Sequence, residues 1–314
     1  MKSISNLNDK NEDIHILLFY KYVEIKNPYS FSKKHLKFCM ENGLLGRILI
    51  GKEGINGSVS GTKEQIELYK KELTSDYRFF DIIFKEDIGK MHPFTKMNIR
   101  IRDEIVALGK KVNLVNKGEY ITPEKLYEMY KNKEDFVMLD ARNYYEYKVG
   151  KFKNAIHLNL KTFREFPKKI NQLENKKDKK IVMYCTGGVR CEKASAYLKE
   201  NGFNNVYHIK DGIINFGKKY PNSYWEGKLF VFDKRLVTPI NKGDEPISKC
   251  KLCGCPCDLY MNCRNLKCDE LFIACHECQH KFMHCCSKEC FKEFSVQCDN
   301  KSRKKQGRAL KVIN

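Results

Sequence analysis

The run Tyr184-Cys185-Thr186-Gly187-Gly188-Val189-Arg190 sets a cysteine directly after the apolar segment Lys180-Ile181-Val182-Met183-Tyr184. A helix-forming stretch from Ala194 to Asn201, closed by Gly202, follows it. In an open α/β sheet ligands bind at this place, between the carboxyl end of a strand and the next helix. Thr186, Gly187 and Gly188 let the backbone curl until successive N–H groups converge on one centre, and a helix N-terminus adds partial positive charge. With Arg190 close by, the same field favours thiolate at Cys185 and makes it nucleophilic near neutral pH. Cys185 is therefore the candidate catalytic residue, and Thr186, Gly187, Gly188, Val189 and Arg190 form its anion-cradling loop. Four residues separate Cys185 from Arg190, one fewer than in a Cys-x5-Arg phosphatase loop, so the cradle suits a sulfur atom better than a full phosphate. A buried, inert cysteine is the plain alternative, but apolar packing would not require the neighbouring glycines. Cys191 could resolve an oxidised or persulfidic Cys185 as a second thiol, or pack in the first helical turn.

A second constellation lies near the end of the chain, where twelve of the fifteen cysteines fall between Cys250 and Cys298. Closely spaced Cys pairs without a secretory signal read as thiolate metal ligands in a compartment that keeps thiols reduced. The pairs are Cys250 and Cys253, Cys263 and Cys268, Cys275 and Cys278, and Cys286 and Cys290, with Cys257, Cys285 and His276 as alternates. Two tetrahedral zinc sites are expected, the first pair joining the third and the second joining the fourth, with the zinc structural. An iron–sulfur cluster is the rival reading, and disulfides are the weakest.

The elements that must position these groups fall into an α/β pattern. Ile16 to Val23 is a strand, Pro28 and Ser32 introduce a helix to about Met40, and Gly46 to Gly51 is a second strand. Through the turn Lys52-Glu53-Gly54-Ile55-Asn56-Gly57 the chain returns along Ser58 to Gly61. Thr62 with Gln65 makes a capping box for a helix ending near Leu73, and Phe80 to Phe84 is extended. Strand, helix, strand, strand, helix, strand is the ferredoxin-like split βαβ order. Met97 to Arg102 alternates apolar with polar or basic residues, which turns Arg100 and Arg102 outward. Gly54, Asn56 and Gly57 permit positive φ, so this turn is either a plain hairpin or a loop presenting backbone donors and Asn56 to a nucleotide. After a polar linker, Thr122-Pro123 starts a helix to about Tyr130 and Phe136 to Asp140 is a buried strand. Thr162 begins a helix interrupted near Pro167, and Val206 to Ile209 is a further strand. Strands spaced by helices imply a parallel sheet. The expected division is a ferredoxin-like domain over 1–108, a linker over 109–119, an α/β domain over 120–226 and a Cys-rich zinc-binding segment with a basic tail over 227–314.

At 314 residues and 42% hydrophobic content the chain can bury a sizeable core. It has no apolar run long enough to span a membrane and no signal-peptide core at its start, so a soluble cytoplasmic protein is expected. A formal charge of +20 favours a polyanionic partner such as nucleic acid, although Lys-rich composition alone does not prove one. Lys301, Arg303, Lys304, Lys305, Arg308 and Lys311 cluster without an acidic residue after Asp299 and read as a phosphate-binding arm or a solvated tail. Arg47, Gly54, Asn56, Arg100, Arg102 and Lys193 are the remaining RNA-binding candidates; for Lys193 an exposed, solvated lysine is the default. Tyr20 and Tyr22 could stack on a base or belong to the core.

Asp140-Ala141-Arg142, Glu146, Gly150, Asn154-Ala155-Ile156-His157 and the Cys185 loop together resemble the rhodanese family over about residues 120 to 220. The resemblance implies a persulfide-carrying role for Cys185, with Asp140 and Arg142 as the pair supporting the site; a structural salt bridge is the alternative. Adding the Gly51-Lys52-Glu53-Gly54-Ile55-Asn56-Gly57 element, the run from Cys185 to Ser195 and the Cys-rich segment, nearly the whole chain is similar to the tRNA uridine hydroxylase family. That similarity implies oxygen-dependent formation of 5-hydroxyuridine at uridine 34, with the anticodon stem-loop as partner and an electron donor that the sequence does not name. The chain shows no facial His/carboxylate triad, dinucleotide fingerprint or evident flavin site. A rhodanese-type sulfurtransferase and a non-catalytic RNA-binding module are the alternative functions.

Overall fold

The computed structural model describes residues 13–296; Cys298 and the cations from Lys301 to Lys311 lie outside the described residues. The chain forms two units: Met1–Tyr144, Asn154–Ser223 and Phe232–Arg235 make the first, and Tyr145–Lys153, Tyr224–Val231 and Leu236–Asn314 the second.

The first unit begins with β1 (Ile14–Tyr22), α1 (Pro28–Glu41), β2 (Leu45–Gly51), β3 (Gly54–Gly61), α2 (Lys63–Ser75), β4 (Phe84–Gly89) and β5 (Met97–Ile101). The sheet order is β4-β1-β3-β2-β5, with the first four strands antiparallel as the ferredoxin-like order requires and β5 added parallel to β2. Strand alternation divides β1 between two faces. Leu17 and Phe19 enter a core with Ile48, Ile55, Val59 and the helical residues Ile66 and Tyr69, whereas Leu18, Tyr20 and Tyr22 point away from the helices. Both helices start on side-chain caps: Asn27 accepts from the Ser30 N–H, and Thr62 and Gln65 complete the capping box, each cap contributing about 1 kcal/mol.

Two expectations in this region are corrected. The stretch Phe80 to Phe84 is not a strand: backbone turns from Asp76 to Phe79 and from Phe79 to Ile82 bury Phe79 and Ile82, and β4 starts only at Phe84. In the Gly54-Ile55-Asn56-Gly57 stretch Gly54 alone takes a positive φ: the turn itself is Lys52-Glu53, Gly54 closes it opposite Gly51, and Asn56 and Gly57 lie within β3, paired with β1 on one side and β2 on the other.

The chain continues with β6 (Glu119–Ile121), α3 (Pro123–Lys131), β7 (Val137–Asp140), α4 (Tyr144–Val149), β8 (Gly150–Phe152), β9 (Ile156–His157), α5 (Phe166–Lys169), β10 (Ile181–Tyr184), α6 (Val189–Glu200), β11 (Val206–Ile209) and α7 (Gly212–Lys219). A parallel sheet in the order β6-β11-β10-β7-β9 results. All four residues of the central β10 are buried, which accounts for its uninterrupted apolar sequence. The helix expected from Thr162 breaks into 3-10 turns at Phe163–Glu165 and Ile170–Lys176 around α5, with no side-chain cap at Thr162. The stretch read as a linker packs on α6, where the Gly118 N–H donates to Ser195 Oγ at 2.9 Å and the Asn113 N–H to Glu200 at 2.7 Å.

The second unit holds the β8 pairing with β12 (Trp225–Gly227), the pair β13 (Leu229–Phe230) and β14 (Val237–Thr238), the hairpin β15 (Tyr260–Asn262) and β16 (Leu271–Ile273), and α8 (His276–Lys281). Its core is small, with Phe230, Tyr260, Phe272 and Ile273 packed among buried cysteines.

Candidate active site

Cys185 stands at the end of β10, and α6 begins four residues later. The Gly188 N–H points back to Cys185 Sγ at 3.1 Å. Gly188 is the N-cap of α6 with φ +100, a conformation that L side chains rarely adopt. Burial would raise the Cys185 pKa, yet the Cys191 thiol, the Arg190 charge and the backbone N–H groups of Arg190 and Cys191 outweigh it and bring the thiol down to about 6. Cys191 shifts the other way: burial, then the Cys185 sulfur, holds it protonated. The pair is thus one thiolate and one thiol donor. Arg190 is 8% exposed and its guanidinium sits 5.8 Å from the Phe232 ring centroid. The Thr186 hydroxyl is buried without a hydrogen-bond partner.

Asp140 and Arg142 are fully buried and joined by a fork, Nε to Oδ1 at 3.0 Å and Nη2 to Oδ2 at 2.6 Å, with the guanidinium over the Tyr184 ring at 5.4 Å. The pair therefore braces the strand that carries Cys185. His157 contacts the Arg142 carbonyl at 2.8 Å.

The face of β1 turned away from its own helices closes over the loop. A Cβ on Gly187 would lie 2.8 Å from Leu18, and one on Gly188 would lie 2.9 Å from the Tyr20 hydroxyl. The Tyr22 hydroxyl donates to the Val189 carbonyl at 3.1 Å. Cys185 is consequently only 1% exposed. Tyr20 and Tyr22 thus serve the seam between this sheet and the loop.

Lys193 requires a correction. It is not a solvated lysine but a buried one, 4% exposed, bonded to Glu53 at 2.9 Å, Glu104 at 2.8 Å and the Val106 carbonyl at 3.1 Å. An ammonium held by two carboxylates inside the fold cannot reach an RNA phosphate. Glu53 comes from the Gly51 to Gly57 element, so this ion pair ties that element to α6. Asn56 likewise donates to the Ile105 carbonyl at 3.0 Å, a structural role. Arg47 and Arg100 remain exposed and share one face of β2 and β5, where Arg47 pairs with Asn98 and Leu49 with Arg100; Arg102 is exposed just past the end of β5.

Two groupings escaped the sequence, because their members are far apart along the chain. Glu192 accepts from the Tyr20 hydroxyl at 2.9 Å, the Tyr120 hydroxyl at 2.6 Å and Lys117 at 2.6 Å. Lys85 pairs with Asp211 at 3.0 Å.

In the second unit the cysteines gather as expected from their spacing: Cys250, Cys253, Cys275 and Cys278 form one group, and Cys263, Cys268, Cys286 and Cys290 the other, each with its sulfurs within 4.8 Å of one another. Cys253 and Cys275 are 3.7 Å apart, Cys268 and Cys286 3.6 Å, and Cys286 and Cys290 3.7 Å. A tetrahedral site with Zn–S bonds of about 2.3 Å sets its sulfurs about 3.8 Å apart. The alternates Cys257, Cys285 and His276 lie outside both groups.

Three family models match the chain: UPF0176 acylphosphatase like domain over residues 14–105, Rhodanese-like domain over 122–219 and Rhodanase C-terminal over 226–291. The tRNA uridine(34) hydroxylase of Bacillus licheniformis is 44% identical over 282 residues, covering 88% of this chain and 87% of that protein. The protein of the same name from Onion yellows phytoplasma is 41% identical over 288 residues, covering 89% and 93%.

Proposed function

The chain belongs to the tRNA uridine(34) hydroxylase family, and on that premise we propose that it converts uridine 34 of tRNA to 5-hydroxyuridine with molecular oxygen as co-substrate and Cys185 as catalytic residue. Replacing C5–H by C5–OH is a two-electron oxidation of the base. Oxygen accepts four electrons, so two more and two protons come from an external donor, and one oxygen atom leaves as water. The observation that carries the role of Cys185 is its cradle, in which a fully enclosed sulfur has a pKa of about 6. Arg190 and the loop N–H groups hold the anionic sulfur, and Cys191 positions it as a protonated donor. Arg47, Arg100 and Arg102 supply positive charge for the anticodon stem-loop.

The division into a ferredoxin-like domain over 1–108, a linker, a rhodanese domain over 120–226 and a Cys-rich segment is proposed on the ranges of the three family models. The two four-cysteine groups would each hold one structural zinc ion, because four thiolates at this spacing suit a single tetrahedral cation. Zinc there would supply cross-links to a segment with little apolar core. No disulfide joins the described cysteines, which suits the cytoplasm, and no described helix is long and apolar enough to cross a membrane.

Nucleoside mass spectrometry of tRNA from a deletion strain tests the proposal. Wild-type complementation restores 5-hydroxyuridine and Cys185→Ser does not; restoration by Cys185→Ser removes the cysteine from the mechanism. A second reading, transfer of persulfide sulfur from Cys185, is favoured by the fit of the loop to a sulfur atom. Thiosulfate:cyanide transfer by the purified chain, with the tRNA of the deletion strain unchanged in 5-hydroxyuridine, would select it.

A further inference from the structure

Beside the Cys185 loop lies a cavity of about 270 Å³, and Tyr20, Lys85, Lys117, Tyr120, Glu192 and Asp211 are among its walls. Glu192 holds both phenols and Lys117 in place through its three hydrogen bonds. Lys85 and Asp211 differ from that saturated knot. Their side chains are 6% and 16% exposed and 3.0 Å apart, and Lys85 Nζ lies 5.1 Å from the Tyr20 ring centroid. Asp211 precedes α7 with φ +65 but makes no capping hydrogen bond to that helix. Its carboxylate is turned to Lys85 instead, in a backbone conformation that costs energy to keep. The next turn is fastened to the catalytic loop, the Ile213 N–H donating to the Cys185 carbonyl at 3.1 Å and the Ile214 N–H to the Thr186 carbonyl at 3.4 Å.

An ammonium keeps protons beyond the one facing its partner, and a carboxylate keeps lone pairs. Lys85 and Asp211 therefore offer a donor and an acceptor side by side in a half-enclosed pocket edged by aromatic rings. Proteins read single-stranded RNA by splaying bases out, stacking them on aromatic side chains and bonding their Watson–Crick edges. Uracil presents the O4 acceptor beside the N3–H donor. Cytosine, held in the same orientation by its ribose, presents the opposite polarity.

We propose that Lys85 and Asp211 read the edge of the target uracil, Lys85 donating to O4 and Asp211 accepting from N3–H, with Tyr20 and Tyr120 as aromatic walls of the pocket. This rests on the reading that the chain acts on a uridine of tRNA. The pair then selects uridine over cytidine, and its connection through α7 fixes the base relative to the Cys185 loop.

The test titrates the full-length protein with labelled anticodon stem-loop RNA carrying uridine or cytidine at the target position. The same variants complement the deletion strain for nucleoside mass spectrometry. Wild type prefers uridine; Asp211→Asn and Lys85→Gln lower that preference about tenfold, the size expected for one bidentate base contact, while affinity for the cytidine RNA is unchanged. Equal loss for both RNAs marks a merely structural salt bridge and overturns the proposal, as does a wild type without preference. If either single variant fails to fold, the Lys85→Gln/Asp211→Asn double variant, which leaves neither charge unpaired, takes its place. Lost preference in the variants with no 5-hydroxyuridine from wild type rejects the hydroxylation and keeps the pocket. Retained preference with 5-hydroxyuridine made rejects the pocket and keeps the hydroxylation.

Discussion

Cys185 and Cys191 carry opposite shifts because they share one hydrogen bond in a buried loop, and the thiolate is the partner that receives the backbone N–H groups and the Arg190 charge. Chemistry that needs the thiolate is present above pH 6 and fades as pH falls through 6. Cys191→Ala removes a donor, so the inflection moves up towards the ordinary thiol value of about 8.5; the pH dependence of thiolate absorbance in the two proteins reads this, and an unmoved inflection would deny Cys191 its role. The cysteine and its loop were legible in the sequence because glycines after a strand have few other uses. Lys193 was not, since nothing local tells a buried lysine from a solvated one: its partners Glu53 and Glu104 lie well over eighty positions earlier in the chain. Lys193→Met leaves two carboxylates facing each other and costs about 3 kcal/mol, measured by urea unfolding. A cost near zero would mean that water already screens the pair.

Among the elements, β1 illustrates the limit of pattern reading. Its sequence is apolar and aromatic on both faces, because one face packs on α2 and the other, through Leu18 and Tyr20, covers the Cys185 loop. A strand buried twice loses the alternation that would tell which side meets what. The capping box of α2 was legible, being set by neighbouring residues, whereas β4 began later than expected because a turn decided which of Phe79 and Phe80 went inside. Two histidines mark the acid limit of these elements. His35 in α1 and His208 in β11 are buried, and burial lowers each pKa to about 4 from 6.5. Below pH 6.5 the unfolded chain binds these protons and the folded chain does not, so stability is lost progressively from pH 6.5 down to about 4. Denaturation midpoints across that range should fall steeply for wild type and less for His35→Gln/His208→Asn; parallel curves would show that both rings find protonation sites in the fold.

At the scale of the whole molecule, the core of the second unit is crowded with cysteines where the cores of the first are largely apolar. Metal analysis of the purified chain should give two zinc ions per molecule, and a chelator should expose the amides around Phe272 and Ile273 to hydrogen exchange while β10 and its neighbours stay protected. Loss of protection in both places at once would show one cooperative unit. Cysteine spacing made the grouping legible, since each short pair needs a second pair to complete four ligands. The interleaving has a consequence for synthesis. Cys255, Cys257, Cys263 and Cys268 all emerge from the ribosome before Cys275 and Cys278, so the half-site at Cys250 and Cys253 meets other thiolates before its own partners. A metal captured at that moment would close a four-cysteine loop belonging to neither final site, and the nascent chain must release it before either correct cluster can form.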